Sequence, residues 1–160
     1  MRQRAWSSGE LARLGFSANA QAMSRLTKIF AACANDELFD ELLSQLSGAA
    51  EPDQALSGLV ELVEQDPAVL VDFDSSARSG LIKVLGGSLG LQRHIRAHLD
   101  AARACQHTGR ASAQVIRQRI ADAVGVPAQS LGLIAAEDPK AADRLRLANK
   151  WELTRIAARD

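Results

Sequence analysis

A chain of 160 residues with 47% apolar and 24% charged side chains can form one domain or two small helical ones, and is too apolar for disorder. Nineteen Lys and Arg balance nineteen Asp and Glu, so the overall basic excess usual in nucleic-acid-binding domains is missing. Tyr is absent, Phe and Trp are few, and Ala and Leu dominate, a composition that favours helices over strands.

In chain order, Ser7 and Glu10 have the spacing of a capping box ahead of a short helix closed by Gly15. Ser17 is the predicted cap of a second helix, whose Met23, Leu26, Phe30 and Cys33 recur at steps of three and four. Asn35 or Asp36 opens a third, with Leu38, Phe39, Leu42, Leu43 and Leu46 on one face. Pro52 is placed to begin a helix carrying Leu56, Leu59, Val60 and Val63. Asp66-Pro67 starts a brief helix from Ala68 to Phe73, and Asp74 or Ser75 caps the next, which runs to Gly86-Gly87. Ser88 begins a helix holding Leu91, Ile95 and Leu99. Ala104 to Ser112 is polar and reads as a linker. Val115, Ile116, Ile120 and Val124 then mark a helix stopped at Gly125. Asp138-Pro139 starts a long final helix through Leu145, Ala148, Glu152 and Ile156. That helix has no stop signal and closes on the acid Asp160, where the helix dipole favours a base. The expectation is a chain cut within a longer protein. The fold expected is all-α: a bundle of short antiparallel helices over 1–103, a linker at 104–112, and a C-terminal helical segment at 113–160.

No apolar run approaches the roughly 18–20 residues that span a bilayer, and Met1 is not followed by a signal-peptide core, so the cytoplasm is the expected compartment. Cys33 and Cys105 stand alone and read as buried small hydrophobes.

Four constellations invite a chemical reading. Asp72 and Asp74 form an Asp-x-Asp of the kind that holds Mg²⁺ for phosphoryl transfer, but no glycine turn lies upstream, and Asp74 reads more simply as a cap. Gly86-Gly87-Ser88-Leu89-Gly90 lacks the lysine of a phosphate loop and reads as one helix ending and the next beginning. His94 and His98 have the spacing of a two-histidine metal pair without the adjacent Glu, and His107 lies in the linker. They read as solvated or partner-facing histidines. Ile120 to Ile134 has the Ala121, Gly125, Val126, Leu131 and Ile134 pattern of a helix-turn-helix, but its second helix, Ala128 to Ala136, has only Gln129 and Ser130 as polar side chains. No catalytic, cofactor-binding or metal-binding residue is therefore assigned.

Several segments resemble the N-terminal part of the bifunctional glutamine synthetase adenylyltransferase/adenylyl-removing enzyme family. They are Leu11-Ala12-Arg13-Leu14-Gly15-Phe16, the helix from Leu42 to Ser47, Pro52-Asp53-Gln54-Ala55-Leu56, Leu59-Val60-Glu61-Leu62, the Asp66-Pro67 helix and Leu85-Gly86-Gly87-Ser88. The closing Glu152-Leu153-Thr154-Arg155-Ile156-Ala157-Ala158-Arg159-Asp160 is similar to the family helix leading towards its first nucleotidyltransferase core. Departures fall at His98-Leu99, where the family has His-Pro, and at Leu147-Ala148-Asn149-Lys150, where it is more basic.

The resemblance implies a regulator of nitrogen assimilation. One half of such an enzyme removes AMP from glutamine synthetase by phosphorolysis, and the other uses ATP and Mg²⁺ to attach it. It implies that this chain is a non-catalytic segment preceding the adenylyl-removing core, with glutamine synthetase and that core as partners. No family catalytic residue maps onto it. A helix-turn-helix DNA-binding regulator and a free-standing helical interaction module are the alternatives.

Overall fold

A computed structural model describes residues 4–133 and 138–159, and among these every regular element is helical. The α-helices are α1 (Ser8–Arg13), α2 (Ala20–Ala32), α3 (Asp36–Ser47), α4 (Pro52–Gln65), α5 (Val69–Asp72), α6 (Ser75–Gly87), α7 (Leu89–Ala97), α8 (Ala113–Val124) and α9 (Pro139–Arg159). A 3₁₀ helix, Leu99–Gln106, follows α7, and a 3₁₀ turn, Ala128–Ser130, follows α8.

Most starts follow from local side-chain chemistry. Ser7 and Glu10 form the capping box, with the Glu10 carboxylate accepting from the Ser7 amide at 2.9 Å. Asn35, Asp74, Ser88 and Ser112 each accept from an amide in the first turn of α3, α6, α7 and α8. Asp138 does the same for α9, accepting from Lys140 and Ala141. The starts of two helices differ from the sequence expectation: α5 begins at Val69 with no side-chain cap, Asp66 accepting instead from the Ala68 amide at 3.2 Å. Asn19, not Ser17, caps α2, accepting from Ala22 at 2.8 Å. Ser17 lies ahead of α2 next to buried Phe16, and its amide and hydroxyl both donate to Asp53 in the first turn of α4.

A further difference is at Leu99. The α-helical backbone of α7 ends at Ala97, and Leu99 belongs to the tighter 3₁₀ helix. That helix also takes in Ala104–Gln106, the start of the expected linker, and buries Ala104 and Cys105 completely or nearly so. Burial pushes the Cys105 thiol up to about 12, which makes it an inert packing group.

α4 is the central helix, burying Ala55, Leu56, Gly58, Leu59, Val60, Leu62 and Val63 between α2, α6 and α7. Phe30 and Phe39 meet edge to face at 4.9 Å where α2 and α3 join, and Trp6 lies against Phe39. Glycine sets the closest helix approaches. A Cβ on Gly86 would stand 3.0 Å from Ala49 Cβ and 3.1 Å from Ala55 Cβ, and one on Gly80 would stand 2.8 Å from the Ala158 carbonyl oxygen. The second contact lets the end of α9 lie directly on α6. α8, the 3₁₀ turn and the first half of α9 sit apart from the main core, sharing buried Ala121, Val124, Ala141 and Ala142.

Gly80→Ala should destabilise the protein by about 1–3 kcal/mol in urea denaturation, because the obstacle is backbone rather than a flexible side chain. Gly87→Ala, which meets nothing within 4 Å, should be neutral or stabilising by up to about 1 kcal/mol.

Candidate functional site

The constellations singled out in the sequence are kept apart by the fold. Asp74 uses its carboxylate to cap α6 through the Ala77 amide at 2.8 Å, while Asp72 ends the separate helix α5, exposed. The pair does not fit a Mg²⁺ site, and among the described residues no group of three His, Cys, Asp or Glu is placed to hold a metal. Ser88 closes α6 and caps α7, accepting from Leu91 at 3.3 Å, so the glycine-serine break is a helix junction. Gly125, at φ +81°, ends α8 in the left-handed conformation a C-cap requires. The segment after it is a 3₁₀ turn and bends through Ala128–Leu133, not the regular second helix that a helix-turn-helix needs; Ile134 and Ala136 lie outside the described residues. Residue 160 lies outside them too. No described helix is long and apolar enough to cross a membrane.

His94 and His98 do meet, with ring centroids 5.0 Å apart. His94 is buried against the bundle while His98 is exposed past the end of α7. His107 is elsewhere, 6.0 Å from the Trp151 ring. Burial, then the neighbouring His98 and Lys150, hold His94 below the usual histidine range and keep it neutral.

The most unusual chemistry lies on α9. Its expected apolar stripe, Leu145, Ala148 and Ile156, is only half buried, and the deeply buried face of its last turns is Glu152, Thr154, Arg155 and Ala158. Arg155 is 1% exposed. Its Nε donates to Glu152 at 2.8 Å, and its Nη1 donates to the carbonyls of Gly109 at 2.6 Å and His107 at 3.3 Å. Arg119, reaching from α8, stands 3.8 Å from the other Glu152 oxygen. Sequence reasoning missed this cluster because an arginine near a helix end reads as solvated; the only local signal was its i,i+3 spacing from Glu152.

Beside the cluster, α8 and α9 run antiparallel and leave a groove of about 330 Å³ lined by Arg119, Ile120, Ala123, Ala148, Trp151 and Glu152. Its floor is apolar, an indole forms one wall, and a carboxylate already neutralised by Arg155 lies at its base. Nothing in this arrangement supplies a nucleophile with a base. What it can do is receive another surface.

No family model matches the chain, and no solved structure matches it. A curated protein described as a bifunctional glutamine synthetase adenylyltransferase/adenylyl-removing enzyme, from Cutibacterium acnes (strain DSM 16379 / KPA171202), is 36% identical over 120 residues. The match covers 72% of this chain and 12% of that protein, so the chain is similar to a short segment of it.

Two outcomes follow from the geometry. Arg155→Met should cost about 3–5 kcal/mol in urea denaturation, because it leaves buried Glu152 with only Arg119 at 3.8 Å and two carbonyls without their donor, and adding Glu152→Leu should restore the part due to the stranded carboxylate. Stability should also decline as pH falls below 6.5, where unfolded His94 takes up a proton that the folded site resists, and should level off once the folded His94 titrates. His94→Gln should flatten that part of the pH profile.

Proposed function

We propose that this chain is a non-catalytic helical segment of a bifunctional enzyme that adenylylates and deadenylylates glutamine synthetase. On this reading it precedes the adenylyl-removing core, packs against that core and shapes the approach of glutamine synthetase. The observation that carries the proposal is the 36% identity, over 72% of the chain, to part of a protein so described. The half-buried Leu145, Ala148 and Ile156 stripe supports it, because a helix that continues into a larger assembly keeps apolar surface for its neighbour.

ATP and Mg²⁺ belong, on this reading, to nucleotidyltransferase cores outside the 160 residues. The residues here contribute shape and packing, and the compartment is the cytoplasm, where glutamine synthetase would be met. The regulation of nitrogen assimilation is then the process served.

The test is the coding sequence downstream of Asp160. A glycine turn followed by an Asp-x-Asp pair in the same reading frame is the expected result. A stop codon directly after Asp160 would overturn the proposal.

A further inference from the structure

We propose that the groove between α8 and α9 is a docking site for an acidic amphipathic helix. The inference rests on the groove itself and does not depend on the identity of the larger protein.

The groove has the shape for such an occupant. Arg119 and Glu152 face each other at one end, and Val124 lies against Arg144 towards the other, so the two helices form an antiparallel hairpin. Between them Ala123 and Ala148 present small side chains, which lets a third helix approach closely along the valley. Trp151 offers the large, rigid apolar surface that dominates binding energy at such contacts. The rim continues the pattern one turn away, with Val115 44% exposed four residues before Arg119 and Leu147 43% exposed four residues before Trp151. α8 buries only Ala121 and Val124, so most of its apolar side chains still face outward or lie half covered.

Charge decides the kind of helix. Residues 107–160 carry nine Lys and Arg against six Asp and Glu, while residues 1–106 carry ten against thirteen. In the groove wall Arg119 is half exposed and shares the Glu152 carboxylate, at 3.8 Å, with Arg155, while beyond the groove's lining Arg117 and Arg144 donate to the main-chain carbonyls of Ala128 and Val124 rather than to carboxylates. The neighbouring acids are engaged elsewhere, Asp122 by Gln118 and Asp143 by Arg146, so three guanidinium groups with Arg155 face the one carboxylate of Glu152 and the excess is positive. The groove's own carboxylate, Glu152, is buried and paired with Arg155. The contrast is the apolar groove between α2 and α4, lined by Ile29, Val60 and Val63. There Lys28 and Glu64 close on each other at 2.6 Å and leave no net charge to select a partner. Flanking acids on an incoming helix would meet Arg119, Arg117 and Arg144, which sets both orientation and specificity.

The test uses the full chain and two synthetic helical peptides of about 18 residues. Both carry leucine at i, i+3, i+4 and i+7; one has glutamate on its flanks and the other lysine. Fluorescence anisotropy of the labelled peptides should show the acidic one binding at least about tenfold tighter, with the difference shrinking at about 0.5 M salt. Arg119→Glu should reduce or reverse that preference, and Arg119→Gln, which sets no second carboxylate beside the buried Glu152, should reduce it in the same direction. Ala148→Trp, which fills the groove, should weaken binding of the acidic peptide by about tenfold or more, with circular dichroism reporting on its helicity. Equal binding of the two peptides, no binding of either, or a preference insensitive to Arg119→Glu would overturn the proposal. So would a dimer in sedimentation that Ala148→Trp dissolves, since the groove would then belong to a second copy.

Discussion

The guanidinium of Arg155 is the constraint on which the C-terminal third depends. Its side chain is the largest in the molecule to be almost wholly buried, and three of its contacts come from different places. Glu152 fixes it along α9, and the carbonyls of His107 and Gly109 draw the segment after the 3₁₀ helix onto it. A neutral side chain of the same length could not satisfy those carbonyls. Desolvating the ion pair costs free energy that the mutual attraction only roughly offsets, so its consequence is chiefly positional. With Arg155 seated, α9 has one rotation about its axis and one depth against α6, and the glycine at position 80 makes that depth accessible. The groove beside it inherits both.

The same device recurs at the ends of α5 and α8. A fold built from many short helices has many unsatisfied terminal carbonyls, and each needs a donor. Arg78 donates to the carbonyls of Leu70 and Phe73 at the end of α5, while its Nη2 reaches both Glu41 carboxylate oxygens at 3.1 Å and its Nε one of them at 3.3 Å. Arg144 serves Val124 at the end of α8, and Arg117 serves Ala128 in the turn beyond. These arginines do for the chain what longer helices would do with their own amides. Planar, multi-donor guanidinium suits the task better than the single ammonium of lysine.

Much of this was legible in the residues. Helix starts depend on side chains within three positions of an amide, which is why Ser7, Pro52, Ser88 and Asp138 could be placed from spacing alone, and Asn35 and Asp74 to within one residue. Ser17 could not, because its preference for Asp53 is a contact across 36 residues that no local rule contains. The 3₁₀ helix at Leu99–Gln106 was hidden for a related reason: its burial of Ala104 and Cys105 comes from packing against α6 and α9, not from a helical period. α9 was the hardest case. Periodicity weighs apolar residues, so it selected Leu145, Ala148 and Ile156, while the face that packs deepest carries Glu152, Thr154 and Arg155. A polar stripe can be buried only when its groups pair with one another, and pairing is invisible to a hydrophobic pattern.

That polar stripe also bears on what the family resemblance means. The string from Glu152 to Arg159 contains the buried pair, the Thr154 hydroxyl bonded to the Lys150 carbonyl, and Ala158 against Gly80. These residues seat a helix; none faces a cleft with a base and a nucleophile. Likeness in such a string is likeness of packing, since exchanging one member strands a buried charge or opens a close helix contact. The groove's other lining residues on the two helices, Ile120, Ala123, Ala148 and Trp151, lie outside the buried pair. Packing and the proposed recognition thus meet at Glu152 and otherwise fall on different sides of the same helix. Changes on the groove side can alter the partner while the Arg155 side keeps α9 where it is.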